Sequence, residues 1–141
     1  MATEPLALQV IDDFSGKYRF LSNFWPDNHD TVEHYYQAAK TDNEVWVARI
    51  LGASTPKAAK DLGRKCPMRP TWDDEKYAVM TTLIRHKFFQ NPDLREQLLA
   101  TGEAQLIEGN WWGDTVWGVC KGVGTNWLGE ILMSTRMALR V

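Results

Sequence analysis

The feature that most limits the folds open to this chain is its succession of helix start and stop signals. Thr31 follows the turn-like run Pro26-Asp27-Asn28-His29-Asp30 and stands where an N-cap belongs. Asn43-Glu44 and Ser54-Thr55-Pro56 supply two more starts, the second with proline in the first turn. Thr71-Trp72-Asp73-Asp74-Glu75 opens another, with acids where the helix dipole favours them. Asn91-Pro92 ends one helix and begins the next, and Gly52, Gly63 and Thr101-Gly102 are stops.

Between these marks the apolar residues keep a helical period. Met80, Leu83, Ile84, Lys87 and Phe88 form one such face, Leu94, Leu98 and Leu99 a second, and Leu128, Ile131, Leu132 and Thr135 a third. The pattern predicts helices from about Val32 into Thr41, Glu44 to Leu51, Pro56 to Leu62, a longest helix from Thr71-Trp72 to Asn91, one after Pro92, and a last from Trp127 to Leu139. Thr125 or Asn126 caps the last. A short strand is expected to begin within Leu6 to Asp13 and another at Ala104 to Glu108. Lys17 to Pro26 reads as half strand and half loop, with Pro26 keeping Trp25 out of helical geometry. The expected fold is mainly α (α+β only through minor short strands): a single compact helical domain over residues 1–141. A chain of 141 residues buries a core of its own without disulfide staples.

Composition narrows the function classes. A formal net charge of −2 gives no general electrostatic grip on nucleic acid, although a local basic patch can still exist. No apolar run approaches the ~20 residues of a membrane span. Met1-Ala2-Thr3-Glu4-Pro5 lacks the basic flank and apolar core of a signal peptide. Cys66 and Cys120, few and far apart, suit reduced thiols and a cytoplasmic setting. No His/Cys cluster has zinc spacing, and neither a P-loop nor a G-x-S-x-G elbow is present. Gly122, Gly124 and Gly129 do not fit G-x-G-x-x-G, whose third glycine would fall at Trp127.

Against that background one row of residues asks for a cleft. Glu33, Gln37 and Lys40 are spaced i, i+4, i+7 and project from one helix face beside Tyr35 and Tyr36. A carboxylate, an amide and an amine in line do not suit a dry core, where an unpaired charge is costly. Further on, Arg64-Lys65-Cys66-Pro67-Met68-Arg69-Pro70 puts three cations just past a helix end. The loop either grips a phosphate or is simply solvated, with its cations favoured by the helix C-terminus. Asn23, bracketed by aromatics, is either a turn residue or a ligand. His86 on the longest helix reads as a surface residue. Seven tryptophans divide between core and flat platforms for a planar ligand. The glycine-rich loop from Gly109 to Gly118 carries Trp111, Trp112 and Asp114, and there backbone and ligand can approach closely.

Taken together these stretches resemble the YbiA-like, or NADAR, domain family. The residues that carry the resemblance are Phe20-Leu21-Ser22-Asn23-Phe24, Val32-Glu33-His34-Tyr35-Tyr36-Gln37-Ala38-Ala39-Lys40, Lys57-Ala58-Ala59-Lys60-Asp61-Leu62-Gly63-Arg64 and Met68-Arg69-Pro70-Thr71-Trp72. Trp112-Gly113-Asp114 and Gly122-Val123-Gly124-Thr125-Asn126-Trp127-Leu128-Gly129 continue the order, then Leu132-Met133 and Arg136. The match runs over about residues 14–139.

The resemblance implies an N-glycosidase that needs neither metal nor other cofactor. It would cleave the ribose C1–N bond of a small phosphorylated ribosylamino-pyrimidine, an intermediate of riboflavin biosynthesis. The alternatives are removal of ADP-ribose from guanine in nucleic acid, and a non-catalytic module that binds ADP-ribose or a nucleotide. Glu33 matches the family's catalytic glutamate, and Lys40 a lysine that would attack an opened ribose as a Schiff base, a role for which Lys121 competes. Asp114 would be a second acid or base, or would hold a ribose hydroxyl; a turn residue is its plain alternative. Trp72 or Trp112 would stack on the base, Arg64 would hold a phosphate, and Asn23 and Gln37 would touch substrate. Where members often carry a further basic residue in the last loop, this chain has Val123-Gly124-Thr125. Glu33, near a helix N-terminus, is expected to stay ionised.

Overall fold

The computed structural model describes residues 9–141. In chain order its elements are β1 (Val10–Ile11), a 3-10 helix (Gly16–Leu21), α1 (Val32–Ala38), α2 (Glu44–Leu51), α3 (Pro56–Gly63), α4 (Trp72–Gln90), α5 (Pro92–Ala100), β2 (Gln105–Leu106), β3 (Gly109–Asn110), β4 (Val119–Cys120) and α6 (Trp127–Leu139). The mainly helical class is thus the observed one. Positions 6–8 of the first expected strand, and the start of the chain, lie outside the described residues. Contacts gather into two units, residues 23–83 and residues 9–22 with 84–141, and α4 is divided between them.

In the unit of residues 23–83, α1, α2 and α3 pack on one another. Their starts follow the chemistry of the cap residues. Asn43 Oδ1 accepts from the Val45 and Trp46 N–H groups at 3.0 and 3.2 Å, and Thr55 Oγ1 accepts from Ala58 N–H at 3.1 Å. Ala38, Ile50, Ala53 and Ala59 are buried together, with Val47, Ala58, Leu62 and Cys66 against them. Small residues dominate this core, which lets three short helices approach closely. α1 is shorter than expected and ends at Ala38 rather than Thr41. Lys40 N–H bonds to the Gln37 carbonyl, and the Lys40 carbonyl accepts from Arg69 N–H at 2.7 Å, so the chain leaves the helix there.

In the other unit, β1 pairs with β2 and β3 with β4, both in parallel. α6 lies against β2 and α5. A Cβ at Gly129 would overlap the Leu106 carbonyl, so only glycine permits this approach. Ile84, Phe88, Leu98, Leu106, Ile131 and Leu132 are sealed from solvent. The segment expected to be part strand forms the 3-10 helix instead. Phe20 and Leu21 are adjacent and both buried, which a strand covered on one face only could not give. Phe20 meets Phe88 edge to face, centroids 6.5 Å apart. Asn126, the N-cap of α6, takes a left-handed conformation (φ 56°) that asparagine tolerates. Its amide bonds Glu108 N–H and the Leu106 carbonyl, each at 2.9 Å, rather than capping the helix.

Candidate active site

The row on α1 is real, and it is buried. Glu33 and Gln37 are only 7% and 3% exposed, while Lys40, just beyond the helix, is half-buried. Gln37 Nε2 donates to Glu33 Oε1 at 2.6 Å. Glu33 Oε2 accepts no hydrogen bond among the described residues. Around this carboxyl stand Lys60 from α3, Lys40 and His34.

Burial works against the helix dipole at this carboxyl. Burial pushes the Glu33 carboxyl above its ordinary value, and this outweighs the opposing pulls of the Gln37 hydrogen bond, Lys60, Lys40 and His34. Lys40 moves the other way: burial lowers it, Glu33 and Cys66 oppose that, and Arg64 and Lys60 add to it. A raised acid beside a lowered amine, close enough to feel each other, is the pattern expected of a reacting pair.

Two residues hold the row in place. His34 Nδ1 lies 2.8 Å from Thr31 Oγ1 and 3.3 Å from the Thr31 N–H, and its Nε2 lies 2.9 Å from the Ala53 carbonyl oxygen. A carbonyl can only accept, so Nε2 carries a proton and Nδ1 is the acceptor for Thr31. One ring thereby caps α1 and ties it to the loop after α2. Asn23 contributes chiefly through its backbone, its carbonyl accepting the Glu33 N–H at 3.2 Å. Its amide lies 3.5 Å from Met80 Sδ, a weak contact.

The other candidate residues lie in differing surroundings. Trp72 is 2% exposed and packs on Tyr36, centroids 5.2 Å apart, so its faces are taken by the protein and it cannot stack on a base. Arg69 in the basic loop is engaged by Glu75 at 2.8 Å and lies over Trp72. Of the loop's cations, Arg64 and Lys65 remain exposed, Arg64 only 3.9 Å from Asp61. Asp114 serves the turn reading: its Oδ1 accepts from the Val116 and Trp117 N–H groups at 3.1 and 2.9 Å. The Asn110 side chain clamps the same turn from both sides, donating to the Asp114 carbonyl and accepting its N–H. Trp112 is half exposed and meets Trp111 edge to face. Lys121 is exposed in a left-handed turn position.

Lys60 is the residue that sequence reasoning left without a role. It ranks ahead of Lys40 among the charges acting on Glu33. The Lys57, Lys60 spacing marked one helix face, but which lysine faced α1 depended on how α3 packs. No group of three or more His, Cys, Asp or Glu side chains able to hold a metal is found among the described residues.

Comparison with known proteins agrees with this architecture. A model of the NADAR domain matches residues 12–140. The N-glycosidase YbiA of Escherichia coli (strain K12) is 38% identical over 140 residues, covering 90% of this chain and 85% of that protein. A riboflavin biosynthesis protein of Vibrio vulnificus is 37% identical over 97% of this chain, which spans 39% of that longer protein. The NMR structure of E. coli YbiA superposes with a TM-score of 0.79 at 36% identity, over 94% of this chain and 88% of that one.

Proposed function

The chain belongs to the NADAR domain family, and from that premise we propose that it is an N-glycosidase, a hydrolase of ribosyl C–N bonds. The observation that carries the reading is the buried Glu33 carboxyl, with one oxygen held by Gln37 and two lysines close by. The substrate is a small phosphorylated ribosylamino-pyrimidine of the riboflavin route, the pathway named in two relatives. The whole chain acts as one NADAR domain, in a reducing cytoplasm that suits Cys66 and Cys120 as thiols.

The chemistry follows from charge. As the bond from ribose C1 to nitrogen breaks, its electron pair leaves with the nitrogen and positive charge grows on the sugar. Glu33 Oε2 faces that charge and takes a proton from the water whose oxygen bonds to C1. That proton passes on to the leaving nitrogen, which restores the Glu33 carboxylate and completes hydrolysis. Only the ionised carboxyl can do this, so Lys40 and Lys60 favour the reactive form against the burial that opposes it. Lys40 or Lys60 and the exposed Arg64 supply cations for the substrate phosphate.

A second reading draws on Lys40 itself. An amine whose proton is held less tightly is a better nucleophile toward an opened ribose, the chemistry needed to free ADP-ribose from guanine. Both substrates are therefore assayed side by side with wild type, Glu33→Gln and Lys40→Met. Base release from the ribosylamino-pyrimidine phosphate, lowered about 10²–10⁴-fold by Glu33→Gln, supports the first reading. Release only from ADP-ribosylated guanosine, lost in Lys40→Met, replaces it with the second. No release from either overturns both.

A further inference from the structure

The position of Gln37 is not that of a residue waiting for a ligand. Its side chain is sealed, and its Oε1 has no hydrogen-bond partner. A primary amide offers the same shape in two orientations, with oxygen and nitrogen exchanged. The two ends of this amide face different neighbours, and both neighbours select the same orientation.

At one end lies Glu33 Oε1, 2.6 Å from Nε2. The reverse orientation would set the amide oxygen against a carboxylate oxygen, which is tolerable only when Glu33 holds a proton. At the other end lies Gly63, the last residue of α3. A Cβ there would overlap Gln37 Oε1 and come within 2.7 Å of its Cδ and 2.9 Å of its Cβ. What faces the amide oxygen is therefore a Cα hydrogen of Gly63, a weak donor that suits an oxygen and repels an NH₂ group.

From this geometry we infer that Gln37 is a positioning residue for Glu33, oriented by Gly63, and not a ligand of the substrate. The inference rests on the N-glycosidase reading, in which Glu33 acts as an anion. The donor end of the amide is committed to that anion, and the price is an amide oxygen left without a full hydrogen bond. Facing Glu33 are Gln37 on α1, Lys40 just after it and Lys60 on α3, which act against desolvation, together with the His34 ring, neutral in the tautomer its bonds require. Replacing the amide removes the nearest of these supports, so the carboxyl should take up its proton at higher pH.

The test uses Gln37→Met, which keeps the length and loses the donor, and Gly63→Ala, which displaces the amide. In both, the acidic limb of kcat/KM against pH should move upward by about a unit, kcat near neutrality should fall about tenfold, and KM should change less than about threefold. Carbon-13 detected titration of the Glu33 carboxyl, read without substrate, should move the same way. If wild type releases no base, the N-glycosidase reading falls, while the titration still decides the role of Gln37. A folded Gln37→Met whose Glu33 titrates as in wild type overturns the inference, as does a rise confined to KM. Should Gln37→Met not fold, Gln37→Asn, which withdraws the amide from Glu33, is read by the same two outcomes.

Discussion

His34 Nε2 donates to the Ala53 carbonyl across 2.9 Å, joining the first turn of α1 to the loop after α2. The other face of the same ring accepts from Thr31, so one buried side chain closes the helix start and fixes its place. Replacing His34 by Phe keeps a ring there, a larger one, and removes the bonds to Thr31 and Ala53. Urea unfolding should show a loss of about 2–4 kcal/mol, the sum of a lost cap and a buried carbonyl left unpaired. Catalysis should fall as well, because Glu33 is the neighbouring residue. A variant as stable as wild type would show that the ring is not what anchors α1.

The tryptophans should divide by burial. Trp72→Ala should cost about 3–5 kcal/mol by denaturant unfolding, as a large ring is lost from beside Tyr36. Trp112, half exposed, should cost less than about 1 kcal/mol when replaced by Ala. If it has the base-stacking role that the family resemblance gives it, KM should rise about tenfold with kcat little changed. An unchanged KM would remove Trp112 from the substrate-binding set.

Asp114 separates turn chemistry from acid–base chemistry. Asn retains the oxygen that accepts from Val116 and Trp117, whereas Ala does not. Asp114→Asn should therefore keep stability and most activity, and Asp114→Ala should lose about 1–2 kcal/mol. A stable Asp114→Asn that is inactive would restore Asp114 as a proton-transfer group.

Lys87 should make stability depend on pH. Its Nζ donates to the Phe20 and Ser22 carbonyls at 2.8 and 3.0 Å, and burial pushes it down from 10.5 to about 7. Below about 7 both the folded and unfolded chains hold this proton. Between about 7 and 10.5 the unfolded chain holds one more, so the free energy of unfolding should rise with pH and level off above that window. The rise should be of the order of a few kcal/mol and absent from Lys87→Met, when both proteins are unfolded in urea across the range. Parallel curves for the two proteins would refute it.

The sequence alone determined the helices and their bounds wherever the signal was local. Asn43 and Thr55 mark helix starts through bonds to N–H groups two or three residues away, Pro56 does so through its fixed φ, and Gly52 and Gly63 mark ends, so no distant partner was needed to read them. The Glu33, Gln37 row was legible for the same reason, since helical spacing alone puts the two on one face. Only the tertiary structure decided what the row does. Beyond Ala38 the chain leaves α1, and the Lys40 carbonyl is taken by the N–H of Arg69, far along the sequence. Trp72 is buried because Tyr36 covers it, and Lys60 is close enough for its charge to act on Glu33 because Gly63 lets α3 settle on Gln37. Burial also pushes the Glu33 carboxyl above its ordinary value, against the direction the helix dipole argued. The helix dipole that argued for an anion is a property of one segment, whereas desolvation depends on every element packed around the carboxyl.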